Sequence, residues 1–175
     1  MQFSVGDKVV HPSYGPGHVV GVERKALSDE AKRYYVIDIP ARELTVYVPW
    51  RTAGDAGVRP AMSGDKRSRM IDTLRTEPEV LPDDYRERQE QVWEKLRTGR
   101  VLLIAEVVRD LTWHRMRAHL TKKDTEYLEK AKARLAGEMA LVSGVEPGDA
   151  EQTIDAVLSE GLPLEDREDA GTDGV

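Results

Sequence analysis

The chain has 175 residues, enough for one medium-sized domain or two small ones, each with a modest hydrophobic core. It contains no cysteine, which excludes disulfides and thiolate metal sites. No apolar run approaches the roughly 18 residues of a membrane-spanning helix, and no signal-peptide pattern opens the chain. The expected compartment is therefore the cytoplasm.

The net charge of −6 is unevenly distributed along the chain. Residues 1–59 carry 8 basic and 7 acidic side chains, residues 60–145 carry 17 and 15, and residues 146–175 carry 1 and 10. Because the acid is concentrated in the tail, the rest of the chain can still hold basic patches. Residues 161–175 are acidic and poor in apolar side chains, which predicts a disordered tail.

The first sixty residues have the pattern of short β-strands. Two valine pairs, at 9–10 and 19–20, flank a turn rich in Pro and Gly at 12–17, which is typical of a hairpin. The spacing alone favours a scaffolding role for this hairpin. Residues 33–39 and 43–49 then alternate apolar and polar side chains, as strands with one buried face do. The apolar positions of these two runs are Tyr35, Ile37, Ile39, Leu44, Val46 and Val48.

From residue 63 the apolar spacing changes to steps of three and four, which indicates helices. Ser63 with Asp65 can cap a first helix, and Asp83 or Asp84 a second that runs to about Arg97. Thr121 and Asp124 resemble a capping box in which Asp replaces Glu. The expected apolar positions of the second helix are Val92, Trp93 and Leu96, and those of the third are Val101, Ile104, Ala105, Val108 and Leu111.

The combined prediction is a segregated α+β chain. Residues 1–60 are expected to form a small SH3- or Tudor-like β-barrel, and residues 61–160 an all-α bundle of about five helices. Residues 161–175 remain as the acidic tail.

The sequence offers little for catalysis. His114 and His119 are five residues apart and lie on different helical faces. A site made of His11, His18 and Asp7 is conceivable in a folded hairpin, but histidines on strand surfaces are more often unliganded. No phosphate-binding glycine loop, nucleophile elbow or paired-carboxylate motif stands out. Neither a metal, a cofactor nor an enzymatic activity is expected.

One candidate binding surface is the outward edge of the β domain. Lys25, Leu27, Thr45 and Tyr47 could flank a partner strand that pairs through backbone groups. The alternative is an ordinary solvated edge.

Two further candidates lie in the helical region. Tyr85 beside Arg86 and Arg88 could enter a nucleic-acid groove while the cations hold phosphate, or the tyrosine could simply pack on the bundle. The second candidate in the helical region is a group of four cations. Two of them, Arg115 and Arg117, stand near a helix C-terminus, where the helix dipole by itself favours cations. Lys122 and Lys123 stand at a helix start, where phosphate binding would explain them.

Several motifs resemble the CarD/CdnL transcription regulators. Residues 5–12 (VGDKVVHP), 14–17 (YGPG), 44–49 (LTVYVP) and 58–59 resemble their polymerase-interacting domain, which also occurs in the transcription-repair coupling factor. The resemblance continues through residues 94–99, 105–111 and 128–131 and covers about residues 1–160. The motifs of the β domain alone would also fit the coupling factor, and the motifs of the helical half restrict the resemblance to CarD/CdnL.

This resemblance implies a function and two partners. The β domain would bind the β subunit of bacterial RNA polymerase through Lys25, Leu27 and Tyr47. The helical domain would meet promoter DNA at the upstream edge of the transcription bubble without reading bases. There Tyr85 would act as a minor-groove wedge that stabilises the open complex. The protein would reach the nucleoid through the polymerase. A monomer is expected, because nothing in the sequence demands a larger assembly.

The chain departs from the family pattern at some of these positions. Many members carry Arg at the positions of Lys25 and Tyr47. Lys25 keeps the positive charge but lacks the bidentate guanidinium, and Tyr47 lacks the charge altogether. Many carry Trp at the position of Tyr85, whose hydroxyl must stay hydrated or find a partner. Glu87 and Glu90 stand where cations would suit phosphate better. An alternative function is therefore a polymerase-binding adaptor or paralogue with weakened DNA engagement, which modulates or competes with a Trp-bearing member.

Overall fold

The computed structural model describes residues 2–26 and 32–161 and has an α+β architecture. The chain forms two compact units. Unit 1 comprises Met1–Met62 and Gly137–Val145, and unit 2 comprises Ser63–Ala136 and Glu146–Val175. Of the predicted acidic tail, Gly161 is the last residue of the final helix, and residues 162–175 lie outside the described residues.

Unit 1 contains one antiparallel sheet with the strand order β4-β3-β2-β1-β5. A bulge interrupts the β2–β3 register between Val19 and Gly21. The strands are β1 (Lys8–His11), β2 (Gly15–Lys25), β3 (Lys32–Ile39), β4 (Leu44–Pro49) and β5 (Arg59–Pro60).

The predicted closed barrel is corrected to an open sheet, because β4 and β5 do not pair with each other in the described part of the chain. The physical reason lies in β5, which has two residues, one of them proline. A strand this short offers few backbone groups, and proline has no N–H to donate to a further ladder.

The inward positions predicted for β3 are buried, but so is Val36 between them, and on β4 Leu44 and Val46 are only partly buried. Tyr35, Ile37 and Ile39 are fully buried in the core of unit 1, and Val48 is nearly so. The Tyr35 hydroxyl, which would be costly to bury unpaired, accepts a hydrogen bond of 2.9 Å from the Phe3 backbone N–H.

Unit 2 is helical, as the spacing predicted. Ser63 caps α1 through the Lys66 N–H, and Asp84 caps α2. Gly99, with φ of 66°, stands in the short connection between α2 and α3. The helices are α1 (Gly64–Arg75), α2 (Tyr85–Arg97), α3 (Val101–Arg117), α4 (Lys122–Ser143) and α5 (Pro147–Gly161).

Helix α3 is buried on more than the single predicted stripe. The predicted apolar positions are all buried, but so are polar side chains, among them Arg109 and Asp110. Arg109 Nε donates a hydrogen bond of 2.7 Å to the carboxylate of the neighbouring Asp110, so this buried carboxylate has a partner. Helix α3 packs against both α1 and α2, which is why its polar side chains also become buried.

The last turns of α4 belong to unit 1, a feature that the spacing did not predict. Glu138 is buried and accepts two hydrogen bonds of 2.7 Å from the Arg59 guanidinium, which extends from β5. It also accepts a hydrogen bond of 2.8 Å from the Met62 N–H. A bidentate pair of this kind is among the stronger polar interactions in proteins, and it ties this helical segment to the sheet.

Gly17 allows β2 to approach β3 closely. A Cβ atom at this position would lie 2.3 Å from the Asp38 carbonyl oxygen and 2.6 Å from Ile39 Cδ1. Because the carbonyl is part of the sheet backbone, it cannot move aside cheaply.

We expect Gly17→Ala to destabilise the protein by about 2 kcal/mol or more, the upper range for overpacking a close contact. Gly64→Ala is the matched control, because a Cβ there meets nothing within 4 Å and alanine favours the helix. Urea denaturation followed by circular dichroism measures both changes. Equal midpoints for the two variants would contradict the steric explanation.

Candidate functional site

The first candidate surface lies at the β4 edge of unit 1. Thr45 and Tyr47 are exposed on β4, as predicted. Lys25, at the end of β2, places its Nζ 3.3 Å from the centroid of the Tyr47 ring. A cation over an aromatic face is attracted by the ring quadrupole, by about 0.5–1 kcal/mol at exposed sites. The fold therefore brings two of the predicted polymerase-contact residues together. Leu27 lies outside the described residues.

One of the two hairpin histidines, His11, stabilises the turn. His11 Nδ1 accepts hydrogen bonds from the Ser13 and Tyr14 N–H groups, at 3.1 and 3.4 Å, and the imidazole packs on the Tyr14 ring. Burial lowers the pKa of His11, so its neutral form can act as this acceptor near neutral pH. In residues 2–26 and 32–161, no three His, Cys, Asp or Glu side chains come together in an arrangement that could hold a metal ion.

The second candidate surface is the N-terminus of α2. The Asp84 carboxylate accepts hydrogen bonds from the backbone N–H groups of Arg86 and Glu87, which fixes the first turn. Tyr85 follows the cap and is 44% exposed. Its hydroxyl accepts a hydrogen bond of 3.1 Å from Arg86 Nε, and the guanidinium carbon lies 5.4 Å from the ring centroid. The hydroxyl thus has a partner, and the arginine stays exposed beside it.

Arg88 does not share this surface, and its assignment to phosphate is corrected. It is 2% exposed, and its Nη2 lies 2.8 Å from Asp124 Oδ2. Its Nη1 donates to the carbonyl oxygens of Pro82 and Asp83, at 2.8 and 3.1 Å. Arg88 therefore joins the connector before α2 to the first turn of α4.

The sequence does contain a signal for this burial. Arg88 stands four residues before Val92 and eight before Leu96, so all three lie near the same side of α2. Both apolar residues are buried, and a long basic side chain on such a stripe needs a buried acid. Asp124 supplies it.

Asp124 also closes the capping box predicted for α4. Its Oδ2 accepts from the Thr121 N–H at 3.1 Å, while the Asp124 N–H donates to Thr121 Oγ1 at 3.2 Å. Burial by itself would raise the pKa of Asp124, but hydrogen bonds from Arg88 and Thr121 outweigh it and lower the pKa. The carboxylate is therefore charged at neutral pH.

Lys122 and Lys123, which follow this cap, are both exposed. Gln89 of α2 donates a hydrogen bond of 2.9 Å to Thr121 Oγ1, which adds a second link between α2 and the start of α4. Unit 2 thus holds Tyr85 and Arg86 at one helix start and Lys122 and Lys123 at another, and the buried Arg88 connects the two.

The cations near the end of α3 are arranged differently. Arg115 and Arg117 are exposed, and the Arg117 guanidinium lies over the Trp113 ring at 4.7 Å. His114 is buried, and this burial together with the Arg88 charge lowers its pKa, so it adds no cation at neutral pH.

Comparisons with known families match both parts of the chain. The model of the CarD-like/TRCF RID domain matches residues 3–61, and the model of the CarD C-terminal domain matches residues 69–155. The chain belongs to the CarD family of transcription regulators. This CarD-like chain is also similar to the Bacillus subtilis (strain 168) protein named "Putative transcription factor YdeB". The two are 28% identical over 145 residues, which cover 82% of this chain and 94% of YdeB.

The family models cover both candidate surfaces. The RID-domain match includes β2 and β4, with Lys25 and Tyr47, and the C-terminal-domain match includes the starts of α2 and α4. In the described part of this CarD-like chain, no helix combines the length and apolarity needed to cross a membrane.

We expect Arg88→Met to destabilise the protein by about 3–5 kcal/mol, because it leaves the buried Asp124 carboxylate without its cation. Arg86→Met is the matched control on the exposed side of the same helix, with an expected change within about 0.5 kcal/mol. Urea denaturation at pH 6 measures both variants.

The dependence of stability on pH tests whether Asp124 is the partner of Arg88. The lowered pKa of Asp124 contributes stability that is complete above its unfolded value of 3.8 and lost as the pH falls through the folded value. The difference between wild type and Arg88→Met should therefore shrink between pH 6 and pH 3. A difference that does not change with pH would contradict the pairing with Asp124.

Proposed function

We propose that this CarD-like chain binds the β subunit of bacterial RNA polymerase and stabilises the promoter open complex. The β4 edge of unit 1, in a Tudor-like arrangement, supplies the polymerase contact. Unit 2 contacts the DNA backbone and minor groove at the upstream edge of the bubble, without reading the base sequence. The chain acts as a monomer in the bacterial cytoplasm and reaches the nucleoid through the polymerase.

The observation that carries this proposal is the exposed Tyr85 at the capped start of α2. In a unit that matches the CarD C-terminal domain, an aromatic ring stands free of the core with Arg86 at its side. An aromatic side chain can insert between base steps in the minor groove, while a neighbouring cation holds a phosphate. Lys122 and Lys123 supply further cations on the same unit.

The polymerase contact is supported by the edge position of β4. An edge strand has backbone groups available to pair with a partner strand, and these give affinity independently of side chains. Lys25 and Tyr47 then form one combined contact, a flat ring covered by a cation. Such a pair places a cation at this edge although residue 47 is a tyrosine, and the Glu23 carboxylate, 3.8 Å from Lys25 Nζ, offsets part of its charge.

A second candidate is an adaptor that binds polymerase but engages DNA weakly. The burial of Arg88 favours it, because the first two turns of α2 then expose Arg86 together with Glu87 and Glu90. Two carboxylates beside the ring repel phosphate. The two candidates differ in whether Tyr85 affects the open complex.

The proposed polymerase contact predicts the effect of two substitutions at Tyr47. Tyr47→Ala removes the ring under Lys25 and should weaken binding to purified β-subunit lobe about fivefold or more, as for interface tyrosines. Tyr47→Phe keeps the ring and should bind like wild type. Tyr14→Ala is the matched control, since Tyr14 and Tyr47 are both 38% exposed in unit 1. Unchanged affinity of Tyr47→Ala would remove Tyr47 from the contact.

The proposed wedge predicts the order of open-complex lifetimes. Dissociation of promoter complexes in the presence of a competitor should be slowest with Tyr85→Trp or wild type and faster with Tyr85→Ala, because a larger ring unstacks a base step more fully. Val80→Ala, at another exposed apolar residue of unit 2, should match wild type. If all variants bind polymerase and give equal lifetimes, the adaptor function is favoured.

A further inference from the structure

Unit 2 carries a second exposed aromatic group that the proposed wedge does not use. Trp93 was expected among the apolar positions of α2, but it is 52% exposed, whereas Val92 and Leu96 are buried. Its ring stacks against Tyr127 of α4, with centroids 6.4 Å apart and planes at 28°. An indole ring left half in water, with a second ring holding it in place, is a flat surface that can accept a planar ligand.

Helices α2 and α4 approach each other at this surface, and their contacts follow the same order along both helices. Gln89 contacts Thr121 near the start, Trp93 contacts Tyr127 midway, and Arg134 approaches Gly99 at the end. The surface therefore has an α2 side and an α4 side along its whole length.

The α4 side carries two lysines, Lys123 and Lys130, with one exposed carboxylate on this face, Glu126, between them. Lys123, Tyr127 and Lys130 are spaced four and three residues apart, which places them on one face of the helix. Lys123 Nζ lies 5.4 Å from the Tyr127 ring centroid. Within residues 2–26 and 32–161, no carboxylate oxygen lies within ion-pair distance of either lysine. The two lysines are separated by about 10 Å along the helix axis, at 1.5 Å per residue.

The α2 side is not basic. Glu90 stands one turn before Trp93, and Glu94 is already paired with Arg97 at 2.6 Å. The α2 side therefore repels phosphates, whereas on the α4 side the two lysines outnumber Glu126 and attract them. A nucleotide chain that meets these charges would place its backbone along Lys123 and Lys130 and turn a base toward Trp93.

We propose that the surface formed by Trp93, Tyr127, Lys123 and Lys130, here called the stacking surface, binds single-stranded DNA. An unpaired base offers a free π-face to Trp93, whereas the bases of a duplex already stack on their neighbours. An acidic peptide would satisfy the lysines but leave the indole ring without a planar partner. In the context of the proposed function, on which this step rests, the ligand is an unpaired strand of the melted promoter.

The test measures binding of the full chain to labelled oligonucleotides without polymerase, so that it does not depend on the open complex. Fluorescence anisotropy compares a mixed-sequence single strand with the duplex of the same sequence. Wild type should prefer the single strand, and Trp93→Leu should weaken its binding about tenfold, the range for loss of one base–aromatic stack. Trp93→Phe, which keeps a smaller ring, should fall between them. Circular dichroism checks that each variant is folded.

The lysines are tested through the dependence on salt. Lys123→Gln and Lys130→Gln should each reduce the slope of log affinity against log salt by about 0.7, the value for one phosphate contact on a single strand. Lys66→Gln, which removes an exposed charge on α1, is the matched control and should leave the slope unchanged.

Three outcomes would overturn the proposal. One is equal single-strand affinity of wild type and Trp93→Leu, and another is a loss for the duplex as large as for the single strand. The third is competition by a poly-glutamate peptide whose own binding is equally sensitive to Trp93→Leu, which would make the ligand an acidic protein segment. Tyr85→Ala separates the two proposals. If it leaves open-complex lifetime unchanged while single-strand binding still needs Trp93, the wedge fails and the stacking surface stands.

Discussion

The buried ion pair between Arg88 and Asp124 is the constraint on which the proposed DNA-binding surface of unit 2 depends. Removing two charges from water is costly, and their attraction offsets this cost more fully as more of the remaining polar atoms find partners. Here the guanidinium bonds two carbonyls of the preceding connector, and the carboxylate closes a capping box. Asp124 Oδ1 has no hydrogen-bond partner within the described residues. The pair holds two helix starts together, and Tyr85, Lys122 and Lys123 stand at these starts.

Both units place cations over aromatic rings at their exposed surfaces. Lys25 covers Tyr47 in unit 1, and Arg86 and Lys123 cover Tyr85 and Tyr127 in unit 2. Each cation lies against the face of its ring, and each ring is restrained by its neighbour. A restrained side chain loses less conformational freedom when a ligand arrives, so such pairs favour binding without new contacts. The three pairs provide positive charge locally in a chain whose net charge is −6.

Lys122 and Lys123 are at an electrostatic disadvantage in the isolated chain. The positive end of the α4 dipole lies at the helix start, where Asp124 is favourable and cations are not. A bound phosphate would reverse the sign of this local balance, because it would meet both the lysines and the free backbone N–H groups of the first turn. In the proposed function, the same helix start would thus hold the buried Asp124 on one side and contact a nucleic-acid ligand on the other.

The sequence by itself determined the succession of strands and helices, their caps and the resemblance to a CarD-type regulator, because alternation, three-to-four spacing and capping chemistry are local properties. It placed the β3 and β4 core positions and the exposed Tyr85 correctly. Only the tertiary structure decided that Arg88 faces inward, that Trp93 faces outward, and that Glu138 joins the end of α4 to unit 1. Neighbouring positions on a helix differ by only 100°, so the packing of distant segments decides which of them is buried. The open sheet depends in the same way on pairing between residues far apart in the chain.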